Sequence, residues 1–370
     1  MRPFSLLIKP AGPDCNLACS HCFYSDKSAM FGGKTHRMAD STLEKLVRDY
    51  LSLNFSPSAF CWQGGEPTLM GLEFFHRVVA LEKKYTASGQ AVTNALQTNA
   101  TLLDDSWCKF LRDNKFLVGI SLEGPVKYHD RYRKNAAGVG SFEHVMAAME
   151  LLKKHRVEFN VLTLLTDSNV DAPQEIFEFL VAQQITYMQF IPCFEKQDGQ
   201  LASYSITPQQ YGRFLCRLLD IWIANGPQKV SIRLFDSVLS HLFSSNHTLC
   251  TFGRKCNDYV VVEHNGDVFA CDFFVEPQWR LGNMLETPIG ELANSQTKRL
   301  FADKKSVVNN GCIVCRHFAV CRGGCIKERV FERNDYSDQS YFCRSYKMFF
   351  DYALPKLMGV LPAVSKRMIK

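Results

Sequence analysis

The sequence predicts an α/β fold: six strand-then-helix units in the first half of the chain, then a loop-rich part dense in cysteine. Three observations predict it. From Phe4 to about Pro192, short β-branched or aromatic runs alternate with stretches of helical periodicity, the pattern of repeated βα units around a parallel sheet. After about Phe194 the alternation stops. The chain holds 15 cysteines in 370 residues, eight of them between Cys250 and Cys343, too many for chance core filling and too few for the disulfide scaffold of a short secreted chain.

In chain order, strands are expected at 4–9, 59–63, 92–98, 116–123, 158–166 and 185–191. Helices are expected between them at 41–53, 72–86, 105–113, 141–155 and 172–184. Ser41, with Glu44 three residues on, reads as a capping box. The pattern leaves an open doubly wound sheet and an incomplete barrel both available. In either, the loops leaving the carboxyl ends of the strands are where chemistry collects. A polar segment at 195–205 then leads to a helix at 208–224 and a short strand at 230–235. Two domains are expected, 1–235 and 236–370, the second ending in a helix at 344–360 and a basic tail; the length supports two domains.

Composition narrows the classes. With 46% hydrophobic and 22% charged residues the chain is globular rather than disordered. The 43 basic against 37 acidic residues leave +6, short of a dedicated nucleic-acid binder, so no nucleic-acid partner is expected. No run reaches the 18 or more apolar residues of a membrane span. The apolar run at 4–8 ends at Lys9 and Pro10, too short for a secretory signal. A cytoplasmic location is expected, where thiols stay reduced and clustered cysteines read as metal ligands or catalysts.

The first cluster follows the first strand: Cys15, Cys19 and Cys22, in C-x3-C-x2-C spacing. Thiolates suit zinc or iron–sulfur clusters. Zinc would close with a fourth ligand, for which His21 is available, whereas a cubane on three cysteines keeps one iron open. Gln63-Gly64-Gly65-Glu66-Pro67 ends the second strand; its glycines permit close backbone approach and its carboxylate can accept from an ammonium. Polar groups also end the third and fourth strands, Gln97-Thr98-Asn99 and Ser121-Leu122-Glu123. The C-terminal cysteines are Cys250, Cys256, Cys271, Cys312, Cys315, Cys321, Cys325 and Cys343, enough for two sets of four. Zinc sites use C-x2-C pairs too, which keeps a zinc-binding interaction module open. Cys61, Cys108, Cys193 and Cys216 lie inside expected strands, helices or apolar runs and read as small hydrophobes.

The Cys15–Cys22 loop resembles the cluster signature of radical S-adenosylmethionine enzymes. The resemblance implies an incomplete (β/α)6 TIM-like barrel in which Cys15, Cys19 and Cys22 hold a [4Fe–4S] cluster and S-adenosylmethionine chelates the fourth iron. It implies cofactor contacts for Gly65 and Glu66 at the methionine amino group, for Arg133 at the carboxylate through its planar fork, and for Ser121 nearby. His21 stands where the family usually has an aromatic residue packed near the adenine, and Phe194 matches a further adenine contact. The C-terminal segment resembles the SPASM extension of peptide-modifying members. There Cys250, Cys256, Cys271 and Cys325 would hold a first auxiliary cluster, and Cys312, Cys315, Cys321 and Cys343 a second, giving three [4Fe–4S] clusters. With four cysteines each, the auxiliary clusters have no vacancy for substrate and would carry electrons. The interleaved ligands couple folding of the extension to its metals.

Over nearly its full length the chain is similar to the anaerobic sulfatase-maturating enzymes, in CNLACSHC with Phe23-Tyr24, QGGEPTL, LQTNATL, SLEGP, QFIPC, Cys271-Asp272-Phe273 and Trp279 to Asn283. That similarity implies oxidation of a cysteine or serine to Cα-formylglycine, through removal of a Cβ hydrogen by a 5′-deoxyadenosyl radical, with Asp272 as proton acceptor. The implied substrate is a nascent or unfolded sulfatase with a Cys/Ser-x-Pro/Ala-x-Arg motif, and the implied electron donor is a flavodoxin or ferredoxin. Another SPASM enzyme, making thioether or carbon–carbon crosslinks in a peptide, would share every cluster ligand and stays open at this point.

Overall fold

The computed structural model describes residues 2–368. The expected units come in order: β1 (Ser5–Lys9), α1 (Asp40–Leu51), β2 (Ser58–Trp62), α2 (Leu72–Tyr85), β3 (Val92–Thr98), α3 (Asp105–Asp113), β4 (Leu117–Ser121), α4 (Phe142–His155), β5 (Phe159–Leu165), α5 (Pro173–Ala182) and β6 (Tyr187–Pro192). Next come α6 (Pro208–Ala224), β7 (Ser231–Ile232), α7 (Arg233–Ser244), β8 (Tyr259–Glu263), β9 (Asp267–Phe269), β10 (Arg280–Asn283), α8 (Gln296–Lys304), α9 (Ile326–Arg333) and α10 (Cys343–Met368). No helix among the described residues is long and apolar enough to cross a membrane.

Three local expectations are corrected. The strand expected at 230–235 is only Ser231–Ile232, because Phe235, Val238 and Leu239 repeat at helical spacing and bury one face of α7. The Ser41–Glu44 capping box is absent: α1 begins at Asp40 without a side-chain cap. Glu44 instead accepts from Lys84 Nζ at 2.8 Å and the Tyr85 hydroxyl at 2.6 Å. The stretch read as loop-rich after Cys250 contains β8, β9 and β10.

The chain forms two compact units, each discontinuous in sequence: residues 1–121, 132–159 and 256–302 in the first, and 122–131, 160–255 and 303 onward in the second. In the first, the strands run in the order β10-β9-β8-β1-β2-β3-β4. β1 to β4 are parallel, and β8 is parallel to β1, with Ser5 opposite Tyr259 and Lys9 opposite Glu263. β9 and β10 continue antiparallel. Leu6, Ile8, Phe60, Trp62, Leu96, Val118 and Ile120 are fully buried along these strands, each contributing about 1.5–3 kcal/mol of burial. Helix α1 supplies Leu43, Leu46, Val47 and Tyr50, the spacing of one buried helical face. The pairings bring the carboxyl ends of β1, β2, β3, β4 and β8 to one edge of the sheet.

In the second unit β5, β6 and β7 are parallel, with Val161 opposite Met188 and Tyr187 opposite Ser231. Helix α6 packs on α10 at close range. A Cβ on Gly212 would stand 3.2 Å from Ser345 Cα, and Ser345 Oγ donates to the Pro208 carbonyl at 2.6 Å.

Candidate active site

In the first unit, β1 feeds directly into the three-cysteine loop. Cys15 and Cys22 are exposed and Cys19 is half-buried. The loop is held from below. The Leu17 N–H lies 3.4 Å from Cys15 Sγ and the Cys22 N–H donates to the Cys19 carbonyl at 3.1 Å. Asn99, just past β3, reaches Cys15 Sγ at 3.6 Å and Asn16 Oδ1 at 2.9 Å with its amide. Asp14, the residue before Cys15, takes bonds from the His36 N–H at 2.8 Å and Arg37 at 2.6 Å. Its own carbonyl accepts from the Glu66 N–H at 2.7 Å.

The Gly-Gly turn after β2 meets this loop. A Cβ on Gly65 would lie 1.9 Å from the Asp14 carbonyl oxygen, so only glycine lets the two backbones approach this closely. Glu66 is fully buried and accepts from Thr68 N at 3.0 Å, Thr68 Oγ1 at 2.6 Å, Thr98 Oγ1 at 2.7 Å and Asn99 N at 2.8 Å. Burial raises its pKa and these bonds oppose that rise. The carboxylate thus ties the turn to the end of β3. Ser121, ending β4, accepts from Gln97 at 3.3 Å. The segment after residue 131 lies against the cysteine loop: Lys134 O accepts from Ala18 N at 2.7 Å, and the Tyr132 and His21 rings are 5.6 Å apart. Burial, aided by the nearby charge of Arg133, lowers the His21 pKa to about 3, which keeps the imidazole neutral. Phe194 belongs to the second unit, where its ring packs on Phe331 at 5.2 Å and Phe342 at 5.0 Å.

A second polar group sits at the ends of β1 and β8. Lys9 is 1% exposed, and its ammonium lies 2.5 Å from Asp272 Oδ1, close but without hydrogen-bond alignment. Gln63 donates to the other oxygen at 3.2 Å. The same ammonium sits 3.3 Å from the centre of the Tyr24 ring. The Tyr24 hydroxyl donates to both oxygens of buried Glu263 at 2.7 Å. Burial pushes Glu263 up to about 7, against the pull of Lys9 and Tyr24. Phe23, the residue after Cys22, packs on Phe273, the residue after Asp272, at 5.4 Å. Lys9 and Glu263 were not singled out from sequence; a lone charge at each end of an apolar strand is the only signal there, and it is common.

Of the C-terminal cysteines, Cys256 and Cys271 belong to the first unit and the rest to the second. Cys271 is buried with the Tyr259 hydroxyl 3.1 Å from its sulfur. In the second unit, the buried Lys305 donates to the carbonyls of Thr251, beside Cys250, and Gly324, beside Cys325. Glu328 accepts from the Cys325 N–H at 3.2 Å and the Tyr346 hydroxyl at 2.8 Å. Buried Arg329 donates to the carbonyls of Gly323 at 2.9 Å, Val307 at 2.6 Å, Lys305 at 3.1 Å and Arg322 at 2.9 Å. Cys312, Cys315, Cys321 and Cys343 line one cavity together with His317 and Lys347.

These features fit iron–sulfur clusters. Four thiols around one cavity are the donor set of a fully ligated cluster, and three thiols on a pinned loop, two exposed and one half-buried, are that of a cluster with one open iron. Among the described residues, no three His, Cys, Asp or Glu side chains converge tightly enough to grip a single ion; a four-iron cluster is larger than an ion and spreads its ligands further apart.

The chain matches the radical SAM superfamily over residues 10–180 and the SPASM iron–sulfur cluster-binding domain over residues 250–316. It is 39% identical to the cysteine-type anaerobic sulfatase-maturating enzyme of Clostridium perfringens strain 13, over 97% of this chain and 99% of that one. It is 35% identical to the serine-type enzyme of Bacteroides thetaiotaomicron, over 96% of this chain and 90% of that one. The structure of native anSMEcpe with bound AdoMet and Cp18Cys peptide superposes with a TM-score of 0.90 at 37% identity, covering 98% of this chain and 99% of that one. The reading of the cysteines as zinc ligands of an interaction module gives way to this likeness. With the three-cysteine loop, the cysteine-lined cavity and similarity along nearly the whole length, the chain belongs to the anaerobic sulfatase-maturating enzymes of the radical SAM superfamily.

Proposed function

We propose that this chain oxidises a cysteine or serine of a sulfatase polypeptide to Cα-formylglycine, within a Cys/Ser-x-Pro/Ala-x-Arg motif, in the cytoplasm. The supporting observation is the carboxylate of Asp272. It follows Cys271 directly, is ion-paired with Lys9 and accepts from Gln63, and neighbours the Phe23-Tyr24 pair that continues from Cys22.

Cys15, Cys19 and Cys22 would hold a [4Fe–4S] cluster that binds S-adenosylmethionine, and together these supply, when bound, a 5′-deoxyadenosyl radical that removes a Cβ hydrogen atom from the substrate. The protein's own groups do the rest. The Gly65–Glu66 turn receives the methionine ammonium, Arg133 pairs with its carboxylate, and His21, Ser121 and Phe194 orient the remainder of the cofactor. Asp272 takes the proton from the substrate SH or OH as one electron leaves the carbon radical. Loss of hydrogen atom, electron and proton turns CH2–OH into an aldehyde. The thiol becomes a thioaldehyde, which water converts to the aldehyde with release of hydrogen sulfide. Cys250, Cys256, Cys271 and Cys325, and separately Cys312, Cys315, Cys321 and Cys343, are the proposed ligands of the two clusters that accept the electron. On this reading residues 1–235 carry the radical chemistry and 236–370 the auxiliary clusters. A flavodoxin or ferredoxin is the proposed donor of the initiating electron.

The test is anaerobic incubation of iron-reconstituted protein with S-adenosylmethionine, a reductant and matched Cys and Ser sulfatase peptides, read by mass. Replacement of the thiol and one hydrogen by a carbonyl oxygen supports the reading. In the Ser peptide the aldehyde is itself a loss of two hydrogens and is identified by hydrazone formation. A peptide that loses two hydrogens without yielding a carbonyl that a hydrazine captures, while 5′-deoxyadenosine accumulates, would transfer it to a crosslinking enzyme.

A further inference from the structure

Lys298 lies on α8 and is 4% exposed, a burial lysine rarely accepts unless paired. Its ammonium donates to the carbonyls of Tyr259 at 2.8 Å and Ala270 at 2.7 Å. Ala270 directly precedes Cys271, and Tyr259 sets its hydroxyl 3.1 Å from Cys271 Sγ. The surroundings are aromatic. The ammonium is 5.9 Å from the Tyr259 ring and 5.7 Å from the Phe301 ring, and Phe301 packs on Trp279 at 4.9 Å and Phe274 at 5.4 Å. A charge in such a place is weakly screened. Burial drives the lysine's pKa down to about 8, and the first groups to push it back up are Cys271 and then Cys256, followed by Asp258.

A buried ammonium bonded to the carbonyl beside Cys271 is matched in charge by a thiolate-ligated cluster of net negative charge at that residue. Reduction adds a further negative charge to such a cluster, so a fixed positive neighbour stabilises the reduced form, and net charge and hydrogen bonding set these potentials. We infer that Lys298 is a positioning residue for the cluster that Cys256 and Cys271 help to hold. Its ammonium pins the backbone beside Cys271 and raises that cluster's reduction potential, making it the better acceptor of the substrate's electron. The inference rests on the ligand assignment proposed above. Lys305 repeats the arrangement within the second unit, at the carbonyls beside Cys250 and Cys325.

The experiment compares Lys298→Met, which keeps most of the length and removes the charge, with Lys298→Arg, which keeps the charge. Each is made in the full chain with Cys15, Cys19 and Cys22 replaced by alanine, so that only the auxiliary clusters report in an EPR-monitored redox titration. Iron and sulfide are counted in parallel. Lys298→Met should lower one auxiliary potential enough to change its oxidised-to-reduced ratio about tenfold at fixed potential, 59 mV for a one-electron couple, while Lys298→Arg stays near the parent. In the chain with its N-terminal cysteines intact, Lys298→Met should yield less formylglycine per 5′-deoxyadenosine. Loss of auxiliary iron in Lys298→Met that Lys298→Arg restores also supports the inference. Unchanged potentials with iron retained would overturn it, and so would equal iron loss in both variants, since shape rather than charge would then matter. The titration needs no peptide, so an enzyme that failed to oxidise any sulfatase peptide would refute the proposed function without touching this result.

Discussion

Replacing Gly65 by alanine should disable the cofactor site through one misplaced atom. The added Cβ would stand 1.9 Å from the Asp14 oxygen and 2.5 Å from its carbonyl carbon. Ordinary contact begins near 3.4 Å, so one backbone must retreat by about 1.5 Å. That movement strains two hydrogen bonds, Gly65 N to Gly12 O at 2.8 Å and Glu66 N to Asp14 O at 2.7 Å. Overpacking costs about 1–3 kcal/mol and each lost bond about 1 kcal/mol, for a total of about 3–5 kcal/mol. Asp14 adjoins Cys15, so the shift falls on a cluster ligand, and a displacement of this size at a reacting centre costs on the order of 10²-fold in rate. The assay is single-turnover formation of 5′-deoxyadenosine by anaerobically reconstituted protein, with thermal unfolding and iron content alongside. Gly359→Ala, with nothing within 4 Å of its new Cβ, is the control. Normal iron content, melting temperature and 5′-deoxyadenosine formation in Gly65→Ala would refute the claim that this close approach shapes the site.

Asp272→Asn should retain all three clusters and cleave S-adenosylmethionine, yet form little aldehyde; full aldehyde yield by mass would remove Asp272 from the mechanism. Arg329→Met would remove the donor from four carbonyls, two of them buried and two part-buried, costing at least about 2 kcal/mol. It should lower the melting temperature and the iron content, which colorimetric iron assay checks. Glu82 is buried against Asn94, which donates to both its oxygens, and burial raises its pKa from 4.5 to about 7. A carboxyl with a raised folded-state pKa binds more protons folded than unfolded, so its contribution is full below pH 4.5 and is lost as pH rises through about 7. The loss is up to about 3 kcal/mol. Glu82→Gln should flatten that decline in anaerobic melting curves between pH 5 and 8, and a slope identical to the parent's would refute it.

The six strands were legible because each is a short β-branched or aromatic run, and the bounds of β3 and α3 coincide with expectation. The cysteine sets were legible as spacing. What pattern could not convey was pairing over long separations. Tyr259 to Glu263 contains three consecutive valines, a strand signal, yet nothing local says that it lies beside β1. The Lys9–Asp272 pair follows from that pairing and so was invisible with it. Buried Lys298, Lys305 and Arg329 carry no signal in the sequence, because their partners are backbone carbonyls that leave no compositional trace. The 230–235 strand failed because its β-branched start, Val230 to Ile232, outweighed the helical repeat that begins at Phe235.

The parallel seating of β8 against β1 has a bearing on how the polypeptide is made. Ser5 waits for Tyr259, so a ribosome adding roughly 5–20 residues per second leaves the outer edge of the first strand bare for on the order of ten seconds or more. Through that interval an apolar strand with unsatisfied amides is a template for mispairing. Any recombinant fragment stopped before residue 259 would carry the same bare edge permanently, and its insolubility would reflect a missing neighbour rather than missing metal.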